Sequence, residues 1–245
     1  SNLVYSMMLE NMLKLNVTSD LHGILPDYME EFDLMLICGD ICPAHNHYVA
    51  YQKEWIENEF VEWIKKLPFK ESWSKVVMTP GNHDFVFERN TQSYYDRLNQ
   101  MTDGRLVILR NKTYEFRYID RASGDVRELS IFGTPYCQHF GRWAFMRDDD
   151  VLEKKFDEMP KFVDILISHS SPDIAGYGYV DYGTSYQRNA GCPILAQAIK
   201  EKQPRYAFYG HIHSGDHTLR EIDGTMMANV SLCDEAYDDS NNILK

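Results

Sequence analysis

Five apolar runs in this chain each end in a short polar segment rich in aspartate, asparagine and histidine. The runs are short, contain many β-favouring residues and stop at polar or glycine-containing signals, which predicts five strands. The segments that follow them are Asp20-Leu21-His22, Gly39-Asp40, Gly81-Asn82-His83-Asp84, His169 and Gly210-His211-Ile212-His213. Loops that follow the strands of an α/β layer meet at one edge of the sheet, so we expect the five segments to converge on one site.

The order of the predicted elements indicates an α/β fold. Residues 13–18, 34–38 and 75–78 are candidate strands, and residues 48–67 carry apolar side chains at helical spacing among charged ones. Strand, helix, strand is typical of α/β layers. Further strands are predicted over residues 106–109, 113–119, 128–132, 162–167, 205–209, 219–222 and 226–232, and helices over residues 148–159 and 193–202.

Length, charge and cysteine pattern restrict the class of protein. The 245 residues favour one large domain over residues 13–245, after an N-terminal extension of residues 1–12 that vector sequence could partly supply. A formal net charge of −12 disfavours nucleic-acid polymers and anionic lipid as partners. No apolar stretch reaches the roughly 20 residues that span a bilayer. Five widely spaced cysteines without a CxxC pair indicate reduced thiols, so we expect a cytoplasmic protein without membrane attachment.

Two of the polar segments place ligand-type side chains two residues apart. In extended backbone such residues point the same way, so Asp20 and His22 could bind one ion together, as could His211 and His213. One pair of this kind is weak evidence. Five segments that together hold five of the nine histidines are poorly explained by coincidence. Imidazole and carboxylate ligands without thiolates suit Mn, Fe, Zn, Co or Ni ions better than Ca²⁺ or Mg²⁺.

The motif series resembles that of the calcineurin-like, or binuclear, metallophosphoesterase superfamily, which is D-x-H, G-D, G-N-H-[DE], a later histidine and G-H-x-H. The resemblance covers roughly residues 13–232 and implies a four-layer αββα sandwich, in which helices flank two mixed β-sheets. It also implies two divalent transition-metal ions, with Asp40 bridging them. The implied ligands of one ion are Asp20, His22, Asp40 and His213, and those of the other are Asp40, Asn82, His169 and His211.

The same resemblance implies that His83 is the catalytic residue, which contacts the phosphoryl group while a metal-bridging hydroxide attacks in line. Asp84 is expected to support the site without binding metal. Many relatives have a further aspartate or a glycine-containing turn shortly after the Gly-Asp motif, but residues 41–47 of this chain have neither. What orients His83 is therefore open at this point, and we interpret His45 and His47 as exposed loop residues.

Residues 191–195 and 229–233 are similar to those of one branch of the superfamily, the small single-domain metallophosphoesterase-domain-containing proteins, which resemble class III cyclic nucleotide phosphodiesterases. This similarity implies a phosphodiesterase that acts on a small soluble ester, for example a cyclic nucleotide. Two alternatives stay open: a phosphomonoesterase or protein phosphatase that uses the same ligands, and a non-catalytic scaffold of the same fold.

The tyrosine-rich residues 170–192 are the candidate source of substrate contacts. Arg188 could bind a phosphate through its guanidinium, and Tyr186 could stack on a base. The alternative is a surface loop with ordinary packing tyrosines.

Overall fold

Two large mixed β-sheets form the centre of the computed structural model, which describes residues 5–10, 12–28, 30–181, 187–213 and 217–233. The first sheet has five strands in the order β1-β2-β3-β4-β5: β1 Tyr5–Leu9, β2 Leu13–Thr18, β3 Leu34–Cys38, β4 Lys75–Thr79 and β5 Leu106–Ile108. Strands β2 to β5 are parallel, and β1 pairs antiparallel with β2 at the edge. Part of the expected N-terminal extension therefore belongs to the sheet.

The second sheet has six strands in the order β14-β15-β13-β10-β7-β6. They are β6 Lys112–Ile119, β7 Val126–Thr134, β10 Ile165–Ser168, β13 Tyr206–Tyr209, β14 Arg220–Ile222 and β15 Thr225–Asn229. The four central strands are parallel, and β6 and β14 pair antiparallel at the two edges. Two small pairs complete the strands: β8 Cys137–Gln138 with β9 Met146–Arg147, and β11 Tyr179–Asp181 with β12 Gln187–Asn189.

The central strands of both sheets bury side chains on both faces. Leu34 and Leu36 of β3 lie in one apolar cluster with Ile167 and Phe208 of the second sheet, which fills the space between the sheets. Met35 and its neighbours on the opposite face of β3 belong to a second cluster that includes the helices. Successive side chains of a strand point to opposite faces, so a strand that is apolar throughout fits a sheet covered on both sides.

Helices cover the outer faces of the sheets and complete the four-layer αββα arrangement. Those on the first sheet are α1 Val49–Trp55, a π-helical turn Ile56–Phe60, α2 Val61–Lys66, α3 Phe85–Arg89 and α4 Gln92–Met101, and those on the second are α5 Asp149–Asp157 and α6 Pro193–Lys202. The helix predicted over residues 48–67 is thus one continuous helical segment with a π-helical centre. Within the described ranges, no helix is long and apolar enough to cross a membrane.

The parallel strands bring the polar segments to one edge of the sandwich. Strands β2, β3 and β4 end just before Asp20, Asp40 and Asn82, and strands β10 and β13 end just before His169 and Gly210. At this edge, an isolated parallel β-bridge pairs Ser19, which follows β2 of the first sheet, with Ser231, which follows β15 of the second. The five segments therefore converge on one edge, as the strand pattern predicts.

Candidate metal centre

Several candidate ligands adopt a left-handed backbone. The φ angles are 54° at Asp20, 45° at His22, 57° at Asp40 and 69° at His211. We predicted that Asp20 and His22 lie on one side of an extended strand, and that geometry is wrong. Their side chains meet because a tight turn redirects the chain. Left-handed backbone is unfavourable for residues other than glycine, and such strain is concentrated at functional sites.

The first group of ligand atoms comes from Asp20, His22 and His213. Nε2 of His213 lies 3.1 Å from Oδ1 of Asp20 and 3.3 Å from Nε2 of His22. The other carboxylate oxygen of Asp20, Oδ2, accepts hydrogen bonds from the hydroxyls of Ser19 and Ser231 and from the backbone N–H of His211. These donors fix the carboxylate so that Oδ1 faces the two imidazoles.

The second group is built around His169. Its Nδ1 donates to the carbonyl oxygen of Cys38 at 2.7 Å, which directs Nε2 towards Oδ1 of Asn82 at 2.8 Å and Oδ2 of Asp40 at 3.2 Å. The ring of His211 lies 5.1 Å from the ring of His169, measured between centroids. Oδ2 of Asp40 is also 3.8 Å from Nε2 of His22. One carboxylate oxygen thus faces both groups.

The spacing and chemistry of these atoms fit metal ions. Nitrogen and oxygen atoms bound about 2.0–2.2 Å from one ion lie about 3–3.5 Å from each other, which is close to the separations seen here. Asp20 and Asp40 are completely or almost completely buried, and buried carboxylates require a cationic partner or a metal. Asn82 orients its Oδ1 towards the site, while its buried Nδ2 has no hydrogen-bond partner within the described part of the chain.

The pKa values follow from burial and from the concentration of charge. Burial opposes ionisation of Asp20 and Asp40, but the adjacent histidines hold the pKa of both carboxyls well below the usual range. Burial lowers the pKa of His169, yet the carboxylates of Asp40 and Asp20 outweigh it and raise that pKa to about 10. Burial and the charge of His169 lower the pKa of His211 to about 3. A cation between these groups would take the place of the proton that His169 holds.

Asp84 connects the loops that carry Asp40 and Asn82. Its carboxylate accepts backbone N–H groups from Asp40, Cys42 and Gly81 at 2.9, 3.1 and 2.9 Å. Burial and then the charge of Asp40 raise the pKa of Asp84 to about 6. Its contacts are those of a residue that positions the ligands rather than one that binds the ion.

Glycine is required sterically at two of the polar segments. A Cβ atom on Gly81 would lie 2.2 Å from Oδ1 of Asp40, and one on Gly210 would lie 2.1 Å from Oδ2 of Asp20. Both distances are far below van der Waals contact. The glycines of the G-N-H and G-H-x-H motifs therefore allow the backbone to approach the two aspartates.

His83 is held by its backbone and by its ring. Its N–H donates to Oδ1 of Asp40 at 2.8 Å, and its carbonyl accepts from the side chain of Gln52 at 2.7 Å. Nδ1 of the ring lies 2.8 Å from Nε2 of His47, and the ring centroid is 4.2 Å from that of Trp143. Burial lowers the pKa of His83 to about 4.

Our interpretation of His47 as an exposed loop residue is wrong. His47 is half-buried, contacts His83 and packs edge-on against Trp143 at 5.2 Å between centroids. His45 is exposed, as expected, and pairs with the hydroxyl of Tyr51 at 3.1 Å. The sequence contains one indication that His47 contacts His83: no acidic residue follows Asp40 within residues 41–47, so a different side chain has to hold the His83 ring.

The structure adds residues 139–145 and Cys137 to the surroundings of the site, and sequence patterns indicated neither. The Phe140 ring lies 5.0 Å from the His211 ring. Cys137 places its sulfur within 4.8 Å of ring nitrogens of His169 and His211. Burial and then the charge of Asp40 raise the pKa of Cys137 well above its usual range, which favours a protonated thiol.

The predicted substrate contacts lie largely outside the described residues. Tyr186 is outside them, and Arg188 lies in β12 with its side chain outside the described part. Tyr177 of the same segment is fully buried, and its hydroxyl donates to the carbonyl oxygen of Met227 at 3.0 Å. That tyrosine is a packing residue, as our alternative interpretation had it.

Facing mixed sheets with aspartates and histidines able to hold metal at one edge define a metal-binding α/β sandwich. Residues 13–215 match the sequence profile of the calcineurin-like phosphoesterases, so the chain belongs to the calcineurin-like phosphoesterase family.

Two relatives and one solved structure illustrate the similarity. Metallophosphoesterase domain-containing protein 1 of Homo sapiens is 27% identical over 190 residues, which cover 73% of this chain and 55% of the relative. The UPF0046 protein C25E10.12 of Caenorhabditis elegans is 26% identical over 251 residues, which cover 94% of this chain and 80% of the relative. The chain spans about half the length of the human relative. The crystal structure of TT1561 of Thermus thermophilus shares the fold, with a TM-score of 0.52 and 12% identity. The match covers 89% of this chain and 88% of TT1561.

Proposed function

We propose that this protein is a metal-dependent phosphodiesterase that hydrolyses a small ester, with a cyclic nucleotide as the leading candidate, and that it binds two transition-metal ions drawn from Mn, Fe, Zn, Co and Ni. The observation that carries the proposal is the position of Asp40, whose Oδ2 lies 3.2 Å from Nε2 of His169 and 3.8 Å from Nε2 of His22. A carboxylate oxygen that faces two groups of ligands is suited to bridge two ions.

The ligand assignment follows the two groups of side chains. Asp20, His22 and His213 would hold one ion, Asn82, His169 and His211 the other, and Asp40 both. When bound, such ions supply Lewis acidity towards a phosphoryl oxygen and lower the pKa of water. Asp84 would keep the loops after β3 and β4 at a fixed separation, because its carboxylate accepts hydrogen bonds from both.

His83 would contact the substrate, because it adjoins the ligand Asn82 while its ring is directed by His47. A phosphoryl oxygen can only accept a hydrogen bond, so the substrate favours the tautomer of His83 with its proton on Nε2. That tautomer requires Nε2 of His47 to donate to Nδ1 of His83, across the observed 2.8 Å. Burial lowers the pKa of both imidazoles, which favours this neutral arrangement.

The test of the proposed function is a panel of esters after loading with Mn²⁺. We expect hydrolysis of bis-p-nitrophenyl phosphate and of a 2′,3′- or 3′,5′-cyclic nucleotide, loss of activity with a chelator and recovery on readdition of metal. Hydrolysis of p-nitrophenyl phosphate alone would favour the phosphomonoesterase or protein phosphatase alternative. A loaded protein that hydrolyses none of these esters would contradict the proposal.

His47→Ala is expected to lower kcat about tenfold or more, because the His83 ring loses the group that fixes its tautomer and direction. Metal content, measured by mass spectrometry of the purified protein, should stay unchanged. His47→Gln should retain more activity than His47→Ala, since its terminal amide can still donate to His83. His45→Ala is the matched control two residues away, and equal losses in His45→Ala and His47→Ala would contradict the role of His47.

A further inference from the structure

The segment of residues 139–145 connects β8 to β9 and is attached to the metal centre. The N–H of Ala144 donates to the carbonyl oxygen of Asn82 at 2.9 Å, and the N–H of Cys137 donates to the carbonyl oxygen of Phe145 at 3.0 Å. The side-chain amide of Gln138 also donates to the carbonyl oxygens of Ala190 and Gly191. The segment is therefore fixed relative to the candidate ligands.

Two aromatic side chains of this segment reach different parts of the site. Trp143 packs on His83 with 4.2 Å between centroids, and Phe140 packs on His211 with 5.0 Å between centroids. Trp143 is half-buried among His47, His83 and Phe85, whereas Phe140 remains 49% exposed. A single exposed phenylalanine is common on protein surfaces. The exposed Phe140 ring, in contrast, lies next to the cluster of candidate metal ligands. The segment that carries it is held in place by hydrogen bonds.

We propose that Phe140, with Trp143 beside His83, forms a subsite for an aromatic substituent of the phosphoester, such as an aryl group or a nucleobase. The inference rests on the proposed function, because it needs a phosphoryl group bound between His83 and His211. An ester substituent that extends from such a site past His211 would contact the exposed ring of Phe140. Offset or edge-to-face packing on that ring would favour aromatic over small alkyl substituents.

The experiment compares two phosphonates that cannot be hydrolysed, phenylphosphonate and methylphosphonate. Their binding to Mn²⁺-loaded protein is measured by isothermal titration calorimetry. We expect the wild type to bind phenylphosphonate about tenfold more tightly than methylphosphonate, since one aromatic pair and its buried area can supply that ratio. Phe140→Ala and Phe140→Leu should reduce the ratio to about twofold or less, whereas Phe140→Tyr should keep it.

The control variant is Phe162→Ala. Phe162 is 70% exposed and precedes β10, so it lies at the edge of the sheet opposite His169. This variant should bind both phosphonates as the wild type does. Circular dichroism and metal content confirm that each variant is folded and loaded.

Two results would overturn the subsite: equal affinity of the wild type for both phosphonates, or an unchanged ratio in Phe140→Ala. An unchanged ratio that comes with an equal loss of affinity for both phosphonates would mean that Phe140 supports the metal centre. Hydrolysis of methyl p-nitrophenyl phosphate, assayed in parallel, tests the proposed function separately. Preference for phenylphosphonate without hydrolysis of the ester would support the subsite and contradict the phosphodiesterase. Hydrolysis without that preference would support the phosphodiesterase and contradict the subsite.

Discussion

Asp40→Asn is expected to lower phosphodiester hydrolysis by about 10³-fold or more, since the loss of the proposed bridging ligand would remove several kcal/mol of stabilisation from the reacting charge. The variant is nearly isosteric, and its side-chain oxygen can still accept the N–H of His83 that now donates to Oδ1. What it lacks is the negative charge that faces His22 and His169. We expect bound metal to fall from two ions per chain to one or fewer, measured by mass spectrometry.

Asp33→Asn provides the matched control for Asp40→Asn. Asp33 is also buried and lies directly before β3, whereas Asp40 follows the same strand. Its carboxylate accepts from Arg121 at 2.6 Å and from the N–H of Lys14 at 2.8 Å. Asp33→Asn should lower the free energy of unfolding without changing metal content. Two ions and normal turnover in Asp40→Asn would contradict the bridging role.

His83→Ala is expected to reduce kcat by about 10²-fold to 10⁴-fold, the usual range for a group that transfers a proton in the transition state. Metal content should stay near that of the wild type, because the ring of His83 is directed to His47 and Trp143. The measurement compares an alkyl ester with a p-nitrophenyl ester. A larger loss with the alkyl ester, whose leaving oxygen needs the proton more, would assign the acid role to the small fraction of His83 that is imidazolium, which gives its proton to the leaving oxygen and regains one from solvent. Equal losses would assign His83 to stabilisation of the phosphoryl charge.

A double-mutant cycle decides whether His47 acts through His83. If it does, His47→Ala should cost little further activity in a protein that already carries His83→Ala, so the two losses will not add. Additive losses would give His47 a separate role. Loss of metal in His83→Ala would contradict our placement of this residue outside the ligand set.

The convergence of the candidate site residues could be predicted because these residues follow strands that the hydrophobic periodicity reveals. The five segments, which lie up to 193 residues apart in the chain, meet because the central strands of both sheets are parallel. Gly81 and Gly210 approach Asp40 and Asp20 so closely that neither position has room for a side chain. The turn that brings Asp20 and His22 together was not visible, because left-handed backbone at aspartate or histidine has no sequence signature. His47 and Phe140 were missed for another reason: they are single residues on loops, and loop positions depend on tertiary contacts.

The fold shows the same division between periodic and non-periodic segments. The hairpin of β6 and β7 and the closing hairpin of β14 and β15 lie where turn residues and alternating patterns placed them. Strand β1 was not predicted, although it pairs with β2 over five residue pairs. The short β8 and β9 pair each contain only two residues, too few for a pattern to be detected.

The left-handed backbone at Asp20, His22, Asp40 and His211 has a consequence for how this sequence is maintained. Glycine would relax each of these positions by roughly 1 kcal/mol or more. The carboxylate and imidazole side chains at these positions therefore come with a local cost in backbone stability, which the carboxylate of Asp20 partly offsets by accepting three hydrogen bonds. Glycine at any of these four positions should thus relieve backbone strain and lower metal affinity, whereas left-handed residues elsewhere in the described chain, such as Asp103 and Gln203, carry no candidate ligand.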